Sequence, residues 1–298
     1  MATYSTTFVG QTTGANSTNF TDRYSSETAV SIENPALGEH DDRVLQFGTG
    51  DSGWIFQSFD DVDGDANRAN SEILMKYRIS ADDQRHAIAT LRASGSASSE
   101  TCYTVYVNDD DFTIERFNSG SGVVLASTPT ETFPSPFLKP SYDDFAKERP
   151  NEWHWCRARV NGTGATVTIQ AKWWVDGFSE PNEWTLDTSD TSASRITAAG
   201  WTGFSKRSFT GTSYLDCMSV GTDGDTAPDF TDTSNTLRVT NTSAQALRSG
   251  GVARVTNTSA QALRSGGVAR VTSVYAQVLV KESAPASTTQ SIQCIIMT

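Results

Sequence analysis

The chain is 298 residues long with a formal net charge of −12, a pI near 4.7 and a mean hydropathy of −0.40. At roughly 100–200 residues per domain, this is one large domain or one domain with an appendage, and it needs no metal or disulfide staple to bury a core. The acid excess excludes a nucleic-acid groove, which needs concentrated Lys and Arg, and apolar runs of a few residues exclude a membrane-spanning helix, which needs ~20.

The first ten residues, MATYSTTFVG, carry neither a basic segment nor an apolar run, so no secretory signal is expected. Trp54 lies near a predicted loop. Asp60 to Asn67 is a dense set of oxygen ligands. With Asp61 at position 1 of a calcium loop, Asp63, Asp65 and Asn67 take positions 3, 5 and 7 and Glu72 takes position 12. Position 6 is Ala66 where the sharp turn needs glycine, and no helix flanks the loop, so an EF-hand is rejected. A looser calcium loop and a solvated acidic turn are the readings left. No other cofactor is expected.

Aromatic and β-branched residues then alternate with polar ones at period two, the signature of strands with two different faces. Predicted strands are Glu72–Ile79, Ala87–Ala93, Trp153–Val160, Ala165–Val175, Trp201–Ser205 and Ser213–Val220, with three more between Thr101 and Ser127. In the first of those three, Cys102, Thr104 and Tyr106 face one way and Tyr103, Val105 and Val107 the other. Turn residues at Asn108–Asp111 and Asn118–Gly122 separate them. The fold class is all-β: a two-sheet antiparallel jelly-roll sandwich.

The four cysteines, Cys102, Cys156, Cys217 and Cys294, form no CxxC pair and read as buried thiols, with a Cys156–Cys217 bridge as the alternative. The histidines, His40, His86 and His154, are far apart and sit in no catalytic motif; His154, between two tryptophans, reads as structural. No strand carries the same-face carboxylate pair of a jelly-roll glycosidase. Glu180, Glu183 and Asp187 flank a turn instead, so no enzyme is expected. The tryptophans read mainly as packing, with Trp54 and Trp184 the two best placed to stack on a sugar ring.

After the turn-rich exit from Asp223 to Pro228 the texture changes. The expected organisation is a head over 1–228, a polar linker over 229–236 and an arm over 237–298. RVTNTSAQALRSGGVA occupies Arg238–Ala253, recurs letter for letter at Arg254–Ala269, and a divergent copy opens at Arg270, a period of 16. One strand and one Arg-Ser-Gly-Gly turn per unit are expected, with a helix through Thr242–Leu247 as the alternative. Residues 229–298 carry six Lys and Arg against three acids, leaving −15 on the rest. Units so poor in large apolar side chains need a partner sheet. Arg238, Arg254 and Arg270, equally spaced, and Val271, Tyr275 and Leu279 of the richest copy are the candidate assembly residues.

The segment from Trp153 to Gly224 resembles the concanavalin A-like, laminin-G-type jelly-roll domains of bacterial and phage proteins. It carries R-x-R-V-x-G (Arg157, Arg159, Val160, Gly162), W-x-D-G (Trp174, Asp176, Gly177) and E-P-x-x-W (Glu180, Pro181, Trp184). A glycine-aromatic strand at Gly200–Phe204 and V-G-T-D-G at Val220–Gly224 complete the pattern. RVTSVYAQVLV in the arm is similar to strand repeats at the ends of tailed-phage structural proteins. Together the two resemblances imply a non-enzymatic virion protein of a tailed bacteriophage, of capsid-decoration or fibre type. It would be anchored or oligomerised through the arm, as a trimer by analogy with viral jelly rolls, and its partners would be other virion proteins. The head would then grip host glycans. The alternatives are a carbohydrate-binding adhesin and, behind it, a glycan-cleaving enzyme.

Overall fold

The structure, a computed structural model, describes residues 3–25, 30–34, 43–48, 54–59, 68–80, 88–96, 99–108, 111–129, 152–176, 179–207, 211–230, 237–239, 245–249, 253–255, 261–265, 269–271, 277–281 and 291–294. Every helix or strand among them is a strand. The chain divides into two compact units, Met1–Asp229 and Phe230–Thr298.

The first unit is a sandwich of two antiparallel sheets of the jelly-roll kind. Sheet one runs Leu186–Asp190 (β13), Val167–Val175 (β12), Trp153–Asn161 (β11), Ser71–Ile79 (β6), Ser213–Thr222 (β15), Val44–Phe47 (β4) and Val30–Glu33 (β3), with Thr3–Thr6 (β1) also pairing with β15. Sheet two runs Ser121–Pro129 (β10), Asp111–Asn118 (β9), Thr101–Asn108 (β8), Ile88–Ser94 (β7), Trp201–Arg207 (β14), Trp54–Phe59 (β5) and Phe20–Ser25 (β2). Strand alternation decides what lies between them. Ile73, Met75, Tyr77, Ala158, Val160, Ile169, Ala171, Trp173, Met218 and Val220 of sheet one meet Leu91, Tyr103, Val105, Phe112, Ile114 and Phe204 of sheet two. Burying each larger side chain is worth about 1.5–3 kcal/mol relative to exposure. The hairpin between β9 and β10 closes on Ser119 and Gly120, with φ of 49° and 81°, the two left-handed residues that match the strand twist.

Several polar side chains in this core are held by named partners. Asp190 accepts from Tyr103 Oη at 2.9 Å, Arg116 Nη1 at 2.8 Å and the Ser192 N–H at 3.0 Å. Burial alone would raise its pKa, but the Arg116 and Ser192 hydrogen bonds outweigh it and hold the carboxyl below its ordinary value. His154 stacks on Trp173 with centroids 5.0 Å apart, and Trp173 Nε1 donates to Tyr77 Oη at 2.9 Å. Arg92, buried at a bulge of β7 with φ of 50°, donates to the carbonyls of Ile196 at 2.7 Å, Gly162 at 2.6 Å and Ala69, and to Asn70 Oδ1 at 3.3 Å. It ties three turns together, and burial lowers its pKa. Cys102, Cys156 and Cys217 are buried thiols, so the Cys156–Cys217 bridge is not formed. Burial first, then Glu100 and Glu115, push the Cys102 thiol well up.

The second unit consists of parallel pairs between repeats. Leu237–Val239 (β16), Ala253–Val255 (β18) and Ala269–Val271 (β20) form one sheet. Gln245–Ser249 (β17), Gln261–Ser265 (β19) and Gln277–Lys281 (β21) form another, which ends in antiparallel Ser291–Cys294 (β22). Each residue pairs with its own counterpart 16 positions on, Arg238 with Arg254 and Arg254 with Arg270. This corrects the expected one strand per unit: among the described residues each unit supplies two, Leu237–Val239 and Gln245–Ser249 in the first. It also corrects the expected turn, since Arg248 and Ser249 end β17. The alternative helix fails too, with Gln245–Leu247 extended.

Candidate functional site

The outward face of sheet one gathers the motifs singled out above. Since Ala158 and Val160 of β11 point into the core, Arg157 and Arg159 point outward. On β12 the same alternation turns Thr168, Gln170 and Lys172 outward, opposite Ile169, Ala171 and Trp173. Asp187 and Ser189 of β13, paired with Gln170 and Thr168, continue the rows to the sheet edge, where both are exposed. The turn joining β11 to β12 needs its glycine: Gly162 has φ of 89°, and a Cβ there would stand 2.6 Å from the Thr166 carbonyl oxygen.

The E-P-x-x-W segment crosses this face. Glu180 accepts from Arg157 Nε at 2.7 Å and Nη2 at 3.1 Å and pairs with Lys172 Nζ at 2.7 Å, which also donates to the Pro181 carbonyl at 2.9 Å. So latched, the segment seats half-buried Trp184 with its centroid 4.7 Å from the Arg159 guanidinium and 5.0 Å from Lys172 Nζ. Both cations rise from the sheet toward the indole. Cation–π contact of this kind is worth about 0.5–1 kcal/mol at an exposed site, and it fixes the ring's orientation in advance.

Arg157 is the hub beneath. Its Nη1 donates to Glu72 Oε1 at 2.7 Å and to the Ala227 carbonyl at 2.9 Å, and its Nη2 pairs with Asp229. Burial would lower its pKa, but hydrogen bonds to Glu180 and Glu72 more than offset this and raise it. Glu72, the residue at position 12 of the calcium-loop reading, is thus buried in an ion pair with Arg157. Arg159 is less enclosed, with a side chain 36% exposed. Its Nε donates to Gln170 Oε1 at 2.5 Å, and Gln170 Nε2 donates to Asp187 Oδ2 at 2.6 Å. Exposed Asn161 ends β11 two residues beyond.

Trp155, stacked on Trp174 at 6.0 Å with Lys76 Nζ 5.3 Å from its centroid, has neighbours on both sides. The outward face of sheet two is closed among its described residues. Phe56, Ile88, Cys102, Tyr106, Phe117 and Trp201 form a second buried cluster. Tyr106 Oη donates to Glu115 Oε2 at 2.6 Å, and the Thr90 and Ser205 hydroxyls bond at 2.6 Å.

Of the residues expected to matter, Trp184 lies on the open face of sheet one. Trp54 begins β5, opposite Arg207 of β14, and its side chain is outside the described residues. Asp61, Asp63, Asp65 and Asn67 lie wholly outside them, as does Tyr275. Arg238, Arg254, Arg270 and Val271 sit in the first arm sheet and Leu279 in the second. Arg159, Gln170, Thr168 and Asp187 were not singled out as a surface. The signal was there, in the two-residue spacing of Arg157 and Arg159 and of Thr168, Gln170 and Lys172, but only the pairing of β11, β12 and β13 puts these rows side by side.

No protein-family model matches the chain, and no curated protein matches it significantly. Among solved structures, the chain is similar to a carbohydrate-binding module, CBM66, from Bacillus subtilis (14% identity, 66% of this chain and 92% of that one, TM-score 0.37). It is also similar to a seed lectin of Lotus tetragonolobus (9%, 76% and 100%, 0.43). A third likeness is the CBM2 module of the evolved Dit of Lactobacillus casei BL23 phage J-1 (11%, 73% and 93%, 0.36).

Proposed function

We propose that this is a non-enzymatic, lectin-like protein whose sandwich binds carbohydrate at the Trp184 surface. One observation carries the reading: a half-buried tryptophan, held by Arg159 and Lys172, lies beside outward rows of amide, hydroxyl and carboxylate groups on three strands. A pyranose stacks its C–H face on an indole, and its hydroxyls need closely spaced donors and acceptors, which Asn161, Thr168, Gln170, Asp187 and Ser189 supply. The nearby carboxylates do not suit hydrolysis. Glu180 is ion-paired with Arg157 and Lys172, and Asp187 is exposed and bonded to Gln170, whereas glycoside hydrolysis needs two carboxyl groups free to flank the scissile bond. A glycan array probed with the full chain tests this. Binding that is lost in Trp184→Ala is the expected result; no bound glycan, or a variant that binds like the wild type, overturns it.

A second reading, a bacteriophage virion component joined to neighbouring chains through the arm, is favoured by the in-register stack of two identical units and a divergent third. Parallel sheets of this kind offer strand edges to a partner, with main-chain hydrogen bonds giving affinity, and several heads on one particle would bind by avidity. Removing 237–298 is then expected to leave a folded head that no longer enters particles. A truncated head that still incorporates sinks this reading and leaves the first intact.

A further inference from the structure

Three cations of sheet one surround Glu180 and Trp184, and they are not equally neutralised. Arg157 is enclosed by Glu72, Glu180 and Asp229. Lys172 is held by Glu180 and the Pro181 carbonyl. Arg159 is the exception. Its Nε is occupied by a neutral amide oxygen of Gln170, and its nearest carboxylate, Glu72, is 3.9 Å from Nη1. Its guanidinium also stands 4.7 Å from the Trp184 centroid. The terminal nitrogens of such a fork are the part that takes a carboxylate in two parallel hydrogen bonds.

The other charges facing the group do not fill that place. Asp187 lies one strand further out, across Gln170, and its contact with the Gln170 amide turns the Gln170 carbonyl oxygen toward Arg159. Glu72 is buried, accepts from Arg157 and from the Ala227 N–H at 3.2 Å through Oε1, and leaves Oε2 3.9 Å from Arg159 Nη1, beyond hydrogen-bond distance. A sugar ring stacked on Trp184 therefore brings a ring substituent within reach of an ordered guanidinium with donors to spare.

We infer that the saccharide taken at Trp184 carries a carboxylate, as a uronic or sialic acid does, and that Arg159 is the residue that reads it. This rests on the reading of the Trp184 surface as a glycan site. Selectivity arises because Arg159 meets a carboxylate with a charge-assisted pair, while a neutral hydroxymethyl group leaves the guanidinium bound to water.

The test uses the full chain and an array of uronate-, sialate- and neutral hexose-bearing glycans, followed by titration calorimetry on the best ligand and on its carboxyl-reduced, neutral derivative. Charge-assisted hydrogen bonds imply that wild type binds the carboxylate form roughly tenfold or more tighter than the reduced one. Arg159→Gln is expected to erase that difference, Arg159→Lys to restore part of it, and Trp184→Ala to weaken both forms. Melting curves of the three variants separate binding loss from unfolding. If wild type prefers neutral glycans, or Arg159→Gln keeps the full preference for the carboxylate, this inference is overturned while glycan binding stands. If no glycan on the array binds, the reading of the surface falls and this inference with it.

Discussion

The two units of this chain are both made of strands and are held together by opposite means. In the sandwich, every strand pairs antiparallel with a strand of different sequence, so each contact is made once: Trp173 on Tyr77 and His154, Asp190 among Tyr103, Arg116 and Ser192, Arg92 across three turns. In the arm, each residue pairs in parallel with its own copy 16 positions on. The sandwich therefore specifies its register by unlike partners, and a single lost partner has no substitute. The arm specifies its register by likeness, and one whole unit can be exchanged for another.

That contrast can be broken at several points. The largest effect is expected from Trp173→Ala, which empties a buried site and removes the donor to the Tyr77 hydroxyl. Large-to-small changes of this type cost roughly 3–5 kcal/mol, read as a lower midpoint in urea unfolding. Next comes Arg157→Met, which leaves Glu72 buried without its cation. Breaking such a pair costs roughly 3 kcal/mol or more, and Trp184 fluorescence should change as the Glu180 latch is released. Smaller is the contribution of Asp190. Because its folded pKa lies below the unfolded value of about 3.9, its ion pair stabilises fully above that pH and is lost as pH falls through the folded pKa. Asp190→Asn should therefore cost stability at pH 7 and flatten the acid limb of a stability–pH curve measured below pH ~4. Smallest of all, deleting residues 254–269, one complete unit, should leave the melting temperature of the sandwich unchanged, distant sites adding independently to within roughly 0.5 kcal/mol. A shift beyond that would show that the two units share stability.

The central strands were legible in the sequence because both their faces are committed. In β8, Tyr103, Val105 and Val107 enter the main core while Cys102 and Tyr106 enter the second cluster, so the alternation of two unlike sets is plain from the letters. The strands missed, β1 to β5 and β13, are short, and their pairing comes from neighbours far away in the chain. Leu186–Asp190 has one core residue at its start and a carboxylate at its end, and only the partner β12 makes it a strand. The surface around Trp184 was half legible for the same reason. Tryptophan after a Glu-Pro turn stood out, but Arg159 became part of a site only through its neighbours across the sheet. In the arm, the exact period announced stacking, while the two strands within each unit were hidden by residues too small to show a face.

The last strand of the sandwich, β15, is not an edge. It lies between β6 on one side and β4 and β1 on the other, and the residues that follow it are clasped by Arg157, while Ser219 Oγ donates to the Pro228 carbonyl at 2.6 Å. Tension arriving from the C-terminal side thus loads a central strand with ladders on both flanks and an ion-paired guanidinium at its exit. Peeling cannot start at a free border, and the load must shear several hydrogen bonds together.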